Sequence, residues 1–308
     1  MTNPKQKFSH PDITAKGEVR ASVAPVNLET LWFNTGTLCN LACHNCYIES
    51  SPKNDRLVYL SLNDVVSYLD EIASKDFKTT EIGFTGGEPF MNLAMISILE
   101  ETLKRGYKVL VLTNAMKPMH KKKEALLSLK ESYGDKLVLR VSLDHYTQEL
   151  HEKERGPKSW EPAIEGLVWL SENSFNIDVA GRTCWHESED EIRKGFAKLF
   201  KEKNIDIDAF NPSQLVLFPE MQEGEDVPEI TIACWDILKK SPADIMCASS
   251  RMIVKRKGRE KAEVVACTLL PNDEEFSLGQ TLSEAWQPVK LNHEYCAKFC
   301  VLGGGSCS

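Results

Sequence analysis

Short apolar runs recur along the chain at 31–34, 81–85, 108–113, 137–143, 176–182 and 214–218, and each predicts a strand. Between them apolar residues return every three or four positions. That period predicts helices near 65–73, 93–105, 122–132, 162–172 and 189–203. Ser61-Leu62-Asn63-Asp64 has the form of an N-cap serine with a partner carboxylate and should open the first helix. Pro162 falls early in its helix, where a missing N–H costs nothing. Six strand–helix units in series predict an α/β fold with a parallel sheet and crossover helices. Periodicity alone lets that sheet be doubly wound or curl into a barrel.

The flanks read differently. Residues 1–26 are polar and aperiodic, an extension of unsettled order. After Pro219 an acidic, turn-rich stretch runs to Pro228. The expected division is therefore 1–26 as extension, 27–219 as the main domain and 220–308 as a smaller C-terminal domain.

Composition narrows the function. With 308 residues, 42% of them hydrophobic, the chain can bury a large core. A net charge of -8 argues against a general nucleic-acid surface. The basic run Lys117–Lys123 reads as a solvated helix start. No apolar run reaches the roughly 18 residues of a membrane span, and the N-terminus lacks an apolar signal core. The expected setting is cytoplasmic, with neither membrane nor nucleic acid as partner. Ten cysteines in that setting point to metal or redox chemistry rather than disulfides.

The candidate chemistry starts at Cys39, Cys43 and Cys46, a C-x3-C-x2-C spacing. Three thiolates this close can bind three irons of a [4Fe–4S] cube and leave the fourth open to a small molecule. The competing reading is half of a zinc site, but zinc sites usually close at four ligands in paired groups. A second motif, Thr85-Gly86-Gly87-Glu88-Pro89, ends the second predicted strand. Its glycines allow close backbone approach to a ligand, and Glu88 can accept bonds from an ammonium group.

Together the two motifs resemble the radical S-adenosylmethionine (radical SAM) superfamily. The resemblance implies a partial (β/α)6 barrel with its site at the C-terminal strand ends. It implies that the cysteine triplet holds the cluster, that the open iron chelates the methionine moiety of SAM, and that the GGEP segment meets the methionine ammonium. The end of the fourth strand is similar to the anaerobic sulfatase-maturase branch. That likeness implies SAM contacts at Ser142 and Arg155, an adenine-side contact at Asn45 and an apolar wall at Leu217. Asn114, closing the third strand, is either a cofactor or substrate contact or a turn residue. His145, His151 and His186 could move protons but read better as structural or solvated. Cys184 reads as a buried apolar residue.

Six cysteines follow Pro219. A strand-like hairpin between Cys247 and Cys267, a Leu278-Gly279 segment, a short helical run and the close of Cys296, Cys300 and Cys307 resemble the SPASM/twitch extension of the superfamily. That extension holds auxiliary [4Fe–4S] clusters. The spacing departs from the full pattern and suits one auxiliary cluster on Cys247, Cys267, Cys296 and Cys300, with Cys307 as the alternative ligand. A structural zinc on the same thiols is the rival.

The implied activity is reductive cleavage of SAM to a 5′-deoxyadenosyl radical, which abstracts hydrogen from a substrate carbon. The implied electron donor is a flavodoxin or ferredoxin type. Only 26 residues precede the barrel, which leaves no room for an N-terminal peptide-recognition domain, and a cobalamin domain is likewise not expected. These expectations place oxidation or rearrangement of a small molecule first and modification of a peptide or protein side chain second. A reading from another class is a non-catalytic iron–sulfur carrier or SAM-binding regulator.

Overall fold

A computed structural model describes residues 6–219 and 226–304. The first part carries β1 (Ser22–Val23), β2 (Thr30–Asn34), α1 (Leu62–Ser74), β3 (Glu81–Thr85), α2 (Met95–Lys104) and β4 (Lys108–Thr113). Then come α3 (Lys117–His120), α4 (Lys123–Tyr133), β5 (Leu137–Ser142), α5 (Gln148–Arg155), α6 (Trp160–Glu172), β6 (Asn176–Arg182), α7 (Glu189–Lys203) and β7 (Leu215–Phe218). The C-terminal part adds α8 (Cys234–Leu238), β8 (Ser250–Val254), β9 (Glu263–Val265), β10 (Ser277–Gly279), β11 (Val289–Lys290) and a π-helical segment, Cys296–Leu302.

Strands β2 to β7 lie side by side in chain order and pair in parallel throughout. Crossover helices connect them, as parallel strands demand, and pack on the sheet in the main core. The sheet stays open at β7, so the fold is a partial (β/α)6 barrel with a small cysteine-rich α+β extension. The extension is joined to the barrel by the sheet itself. β8 pairs in parallel with the free edge of β2, and β9 and β10 continue antiparallel.

Side chains alternate across the strands. Leu31, Phe33, Ile82, Phe84, Val109, Val111, Leu139 and Val141 meet the apolar faces of the helices in the main core. Trp32, Leu110 and Val138 point inward and pack with Met252, Val254 and Val265 from the extension. The inner core explains Gly83: a Cβ there would stand 2.4 Å from the Trp32 ring.

The predicted strands and helices of the barrel match the observed ones to within a few residues, and Ser61 and Asp64 form the expected capping box, whereas the short helical run expected at 282–286 is a turn. The segment read as an extension of unsettled order is tied down at its end. β1 pairs with β11, and Ala21 and Val23 sit in a second core with Ile230, Ile245 and Leu291. Arg20, fully buried, forms an ion pair with Glu229 at 2.5 Å. Among the described residues no helix is long and apolar enough to cross a membrane.

Candidate functional site

The cysteine loop leaves the C-terminal end of β2 and is tied down by backbone bonds. Gly87 N–H donates to Gly36 O at 2.7 Å, Glu88 N–H to Leu38 O at 3.2 Å and Cys39 N–H to Ser51 O at 3.1 Å. The two glycines make this approach possible. A Cβ on Gly87 would stand 2.1 Å from Leu38 O, and one on Gly86, at φ +133°, would stand 2.6 Å from Gly36 O. Their first demand is thus protein against protein, although both still border the cavity beneath the loop.

That cavity opens at the C-terminal ends of the parallel strands, where parallel barrels place ligands. Cys39, Cys43, Asn45 and Cys46 border it from the loop, with Gly86, Gly87, Asn114, Ser142 and Arg155. Burial pushes the Cys39 thiol up to about 12 and raises Cys43 as well. Thiolates here therefore need a metal or cation to offset their desolvation.

Glu88 and Leu217 are not brought to this cavity. Glu88 is 1% exposed, and its carboxylate accepts from Thr113 Oγ1 at 2.9 Å, Asn114 N at 2.8 Å and Phe90 N at 3.2 Å. It locks the end of β3 to the end of β4. Burial pushes its carboxyl up to about 7 against the pull of these donors. Leu217 borders a separate charged cleft near the N-terminal strand ends, with Glu81, Lys108 and Asp178; its neighbour Phe218 reaches both spaces.

Three charged residues that sequence reading passed over organise the rim. Arg155 Nη2 donates to Asp144 Oδ1 at 3.0 Å, and Nε lies at ion-pair distance, 2.6 Å, from Oδ2. Arg182 lies 3.6 Å from Asp144 and 3.3 Å from Glu154, and donates to Asn45 O at 2.9 Å. Glu154 in turn accepts from Asn45 N at 2.8 Å and from its side-chain amide at 3.3 Å, while His44 N–H donates to Glu154 O at 2.7 Å. The two acids and two arginines thus clamp the middle of the cysteine loop to α5 and β6. The available signal was the charge at the C-terminal ends of β5, α5 and β6.

Burial works to raise the Asp144 carboxyl, but Arg155 and Arg182 hold it below its ordinary value. A depressed carboxylate contributes stability at pH values above its unfolded pKa and loses it as pH falls through its folded one. Asp144→Asn should therefore cost about 3–5 kcal/mol at neutral pH, because buried Arg155 loses its carboxylate partner while Arg182 keeps only Glu154. Its urea midpoint should also fall less than that of the wild type on acidification below about pH 4. Parallel pH profiles for the two proteins would remove this role from Asp144.

The histidines stay out of the cavity. His145, 1% exposed, bonds Glu187 Oε2 at 2.7 Å and Thr147 Oγ1 at 2.8 Å, so it does have a carboxylate partner. His151 is fully buried edge-on to Trp160, and burial lowers it to about 3. His186 is exposed, and Cys184 is partly exposed rather than buried.

A second, apolar cavity is bordered by Cys247, Cys267, Cys296 and Cys300, with Leu270, Phe276 and Leu291. Cys247 precedes β8, Cys267 follows β9, and the other two lie on the π-helical segment. Its i→i+5 bonds widen the turn, so residues four apart project to nearly one side. Burial pushes Cys247 up to about 12 and Cys267 up to about 11. Cys307 lies outside the described residues. Among the described residues no three His, Cys, Asp or Glu side chains close on one point as a single metal ion asks. In both cavities the thiols surround a space, the arrangement that could hold a multi-iron cluster.

The two cavities adjoin. Thr268 and Leu269, next to Cys267, and Phe299, between Cys296 and Cys300, border the first cavity. Phe299 stacks on Phe218 with ring centroids 6.1 Å apart.

The antilisterial bacteriocin subtilosin biosynthesis protein AlbA of Bacillus subtilis (strain 168) is 29% identical over 270 residues, 82% of this chain. The chain spans 57% of that relative's length. Streptococcus suis SuiB bound to S-adenosylmethionine shares the fold at TM-score 0.62 and 14% identity, over 92% of this chain and 73% of SuiB. AdoMet-bound anSMEcpe does so at TM-score 0.58 and 16% identity, over 86% and 79% of the two chains. The model of the radical SAM superfamily matches residues 33–202, more than half of the chain and a span that contains the cysteine triplet and the paired glycines, and the chain belongs to that superfamily.

Proposed function

We propose that the chain is a SAM-cleaving radical enzyme that oxidatively modifies a peptide. The observation that carries the reading is convergence on one cavity: Cys39, Cys43 and Cys46 meet Gly86, Gly87, Ser142 and Arg155 at the C-terminal ends of parallel strands. When bound, a reduced cluster and SAM supply a 5′-deoxyadenosyl radical that takes hydrogen from an unactivated carbon.

The chain's own residues bind and orient. Cys39, Cys43 and Cys46 would take three irons and leave the fourth for the methionine amino and carboxylate groups. With the Glu88 carboxylate engaged inside the protein, the N–H groups of that amine would have the backbone of Gly86 and Gly87, which borders the cavity, as their partner. Asp144 takes one hydrogen bond from Arg155, through Nη2, and holds its charge at ion-pair distance, which leaves the guanidinium with donors for a ligand carboxylate. Ser142 offers its hydroxyl beside it. The Asn45 amide is spent on Glu154, which steadies the loop between Cys43 and Cys46. Phe218, Leu269 and Phe299 exclude water on the opposite wall.

The adjoining cavity supports an oxidative outcome. A cluster on Cys247, Cys267, Cys296 and Cys300 would sit one residue from the wall of the radical site and could take an electron from a substrate radical. Reducing equivalents for the first cluster would come from a flavodoxin or ferredoxin-type donor.

Between the two substrate classes left open by the sequence, the comparisons favour the peptide. The Bacillus relative is a bacteriocin biosynthesis protein, and SuiB has been solved bound to the precursor peptide SuiA, with TM-score 0.60 to this chain.

The test is anaerobic. The reconstituted, reduced protein should release 5′-deoxyadenosine from SAM, and a candidate precursor peptide should change mass. Release with no peptide altered, and a small metabolite consumed instead, would reverse the substrate assignment. Cys247→Ala should keep 5′-deoxyadenosine release and lose the modified product. Normal product from that variant would remove the C-terminal site from catalysis.

A further inference from the structure

We infer that Arg251 is the buried counter-cation of the C-terminal four-cysteine site and favours uptake of an electron there. The inference rests on reading Cys247, Cys267, Cys296 and Cys300 as cluster ligands.

Arg251 is 1% exposed. Its guanidinium donates only to main-chain carbonyls: Nε to Ala285 O at 3.1 Å, Nη2 to Gln287 O at 3.1 Å, and Nη1 to Ser250 O at 2.7 Å and to Cys247 O. The Trp286 ring lies 5.5 Å away, centroid to guanidinium carbon. Among the described residues it has no carboxylate partner. The other buried arginines each have one: Arg20 has Glu229, Arg140 has Asp178 and Arg193 has Glu189.

Burying an unpaired cation is expensive, and carbonyl dipoles offset only part of the cost. The titratable groups that favour the Arg251 charge are Cys247 and Cys267. Protonated, they offer it nothing. As thiolates on a cluster they carry the missing negative charge. Arg251 also donates to the carbonyl of Cys247 itself, which ties the cation to a ligand. One-electron reduction adds a further negative charge at the cluster, and a fixed cation in a low-dielectric setting stabilises the reduced form. Arg251 is a positioning and tuning residue; it is not placed to touch substrate.

The experiment uses the full chain with Cys39, Cys43 and Cys46 changed to alanine, so that only the C-terminal site is loaded. Arg251→Met and Arg251→Lys are made in that background. Iron is counted, and the midpoint is read by EPR during a dithionite titration. Arg251→Met should move the midpoint to more negative potential by at least 59 mV, a tenfold change in a one-electron equilibrium. Arg251→Lys should stay near the parent. Iron-loaded Arg251→Met with an unchanged midpoint overturns the proposal. Should Arg251→Met fail to load iron, Arg251→Lys decides: loading at the parental midpoint supports the charge role, and failure to load shows that hydrogen bonding to the carbonyls is what matters. A parent without iron overturns the cluster reading itself, a result distinct from an unshifted midpoint.

Discussion

Changing Cys39, Cys43 and Cys46 together to alanine should abolish 5′-deoxyadenosine release and lower the iron from about eight to about four per chain. On the proposed reading the radical chemistry needs these thiols, whereas the hydrophobic cores do not. None of the three belongs to a hydrophobic core cluster, and Cys43 and Cys46 are partly exposed. The variant should therefore unfold thermally within a few degrees of the iron-free wild type. Iron unchanged by the substitutions would take the triplet out of cluster binding. Iron falling from about four to none would mean that the C-terminal thiols hold no cubane, and the oxidative reading would lose its support.

Gly87→Ala is the second large effect. Its Cβ would meet Leu38 O at 2.1 Å, Leu38 C at 2.5 Å and Cys39 N at 3.0 Å. These are backbone atoms, so no rotamer change relieves the clash and the loop must shift by about 1 Å. Overpacking of this kind costs about 1–3 kcal/mol. The larger consequence is at the site, because the displaced backbone carries Cys39, and a misplacement of about 1 Å can cost a hundredfold in rate. The initial rate of 5′-deoxyadenosine release should fall by about that factor in protein that still folds. Gly134→Ala, beyond α4 and away from the cavity, is the control: its φ is +57°, but nothing lies within 4 Å of the added carbon. It bears a conformational strain without moving the loop. Equal rates in the two variants would show that the Gly87 contact does not position Cys39.

The strands were legible because a parallel sheet buried on both faces leaves continuous apolar runs. The helices of the outer layer were legible because one face of each meets that sheet. α5 was not. It presents only His151 and Glu154 to the interior, so its sequence has no apolar period, and its place follows from the charges that tie it to the cysteine loop. The glycine motif was legible as close approach, but which partner approaches is a three-dimensional fact: Leu38 and Gly36 rather than a ligand alone. Glu88 looked available because acidity is visible in a sequence and the Thr113 and Asn114 donors across the strand are not. Leu217 and Phe218 are adjacent in the chain but only Phe218 borders the cavity beneath the cysteine loop, a distinction that a four-residue strand does not reveal. The four C-terminal cysteines were traceable as a group, whereas the buried arginine beside them needed the structure to show which acids it lacks.

The parallel pairing of β8 with β2 also sets an order of events during synthesis. β2 emerges first and finds β3 soon after, but its other edge has no mate until residues 250–254 leave the ribosome, more than two hundred residues later. For most of translation the strand that launches the cysteine loop is the exposed rim of a half-made sheet, with all five residues destined for burial. Unpaired apolar edges invite intermolecular strand addition, and contacts so distant in sequence close slowly. The edge left open to intermolecular pairing in the nascent chain therefore adjoins the cysteine loop, and the C-terminal extension closes that edge of the barrel with β8.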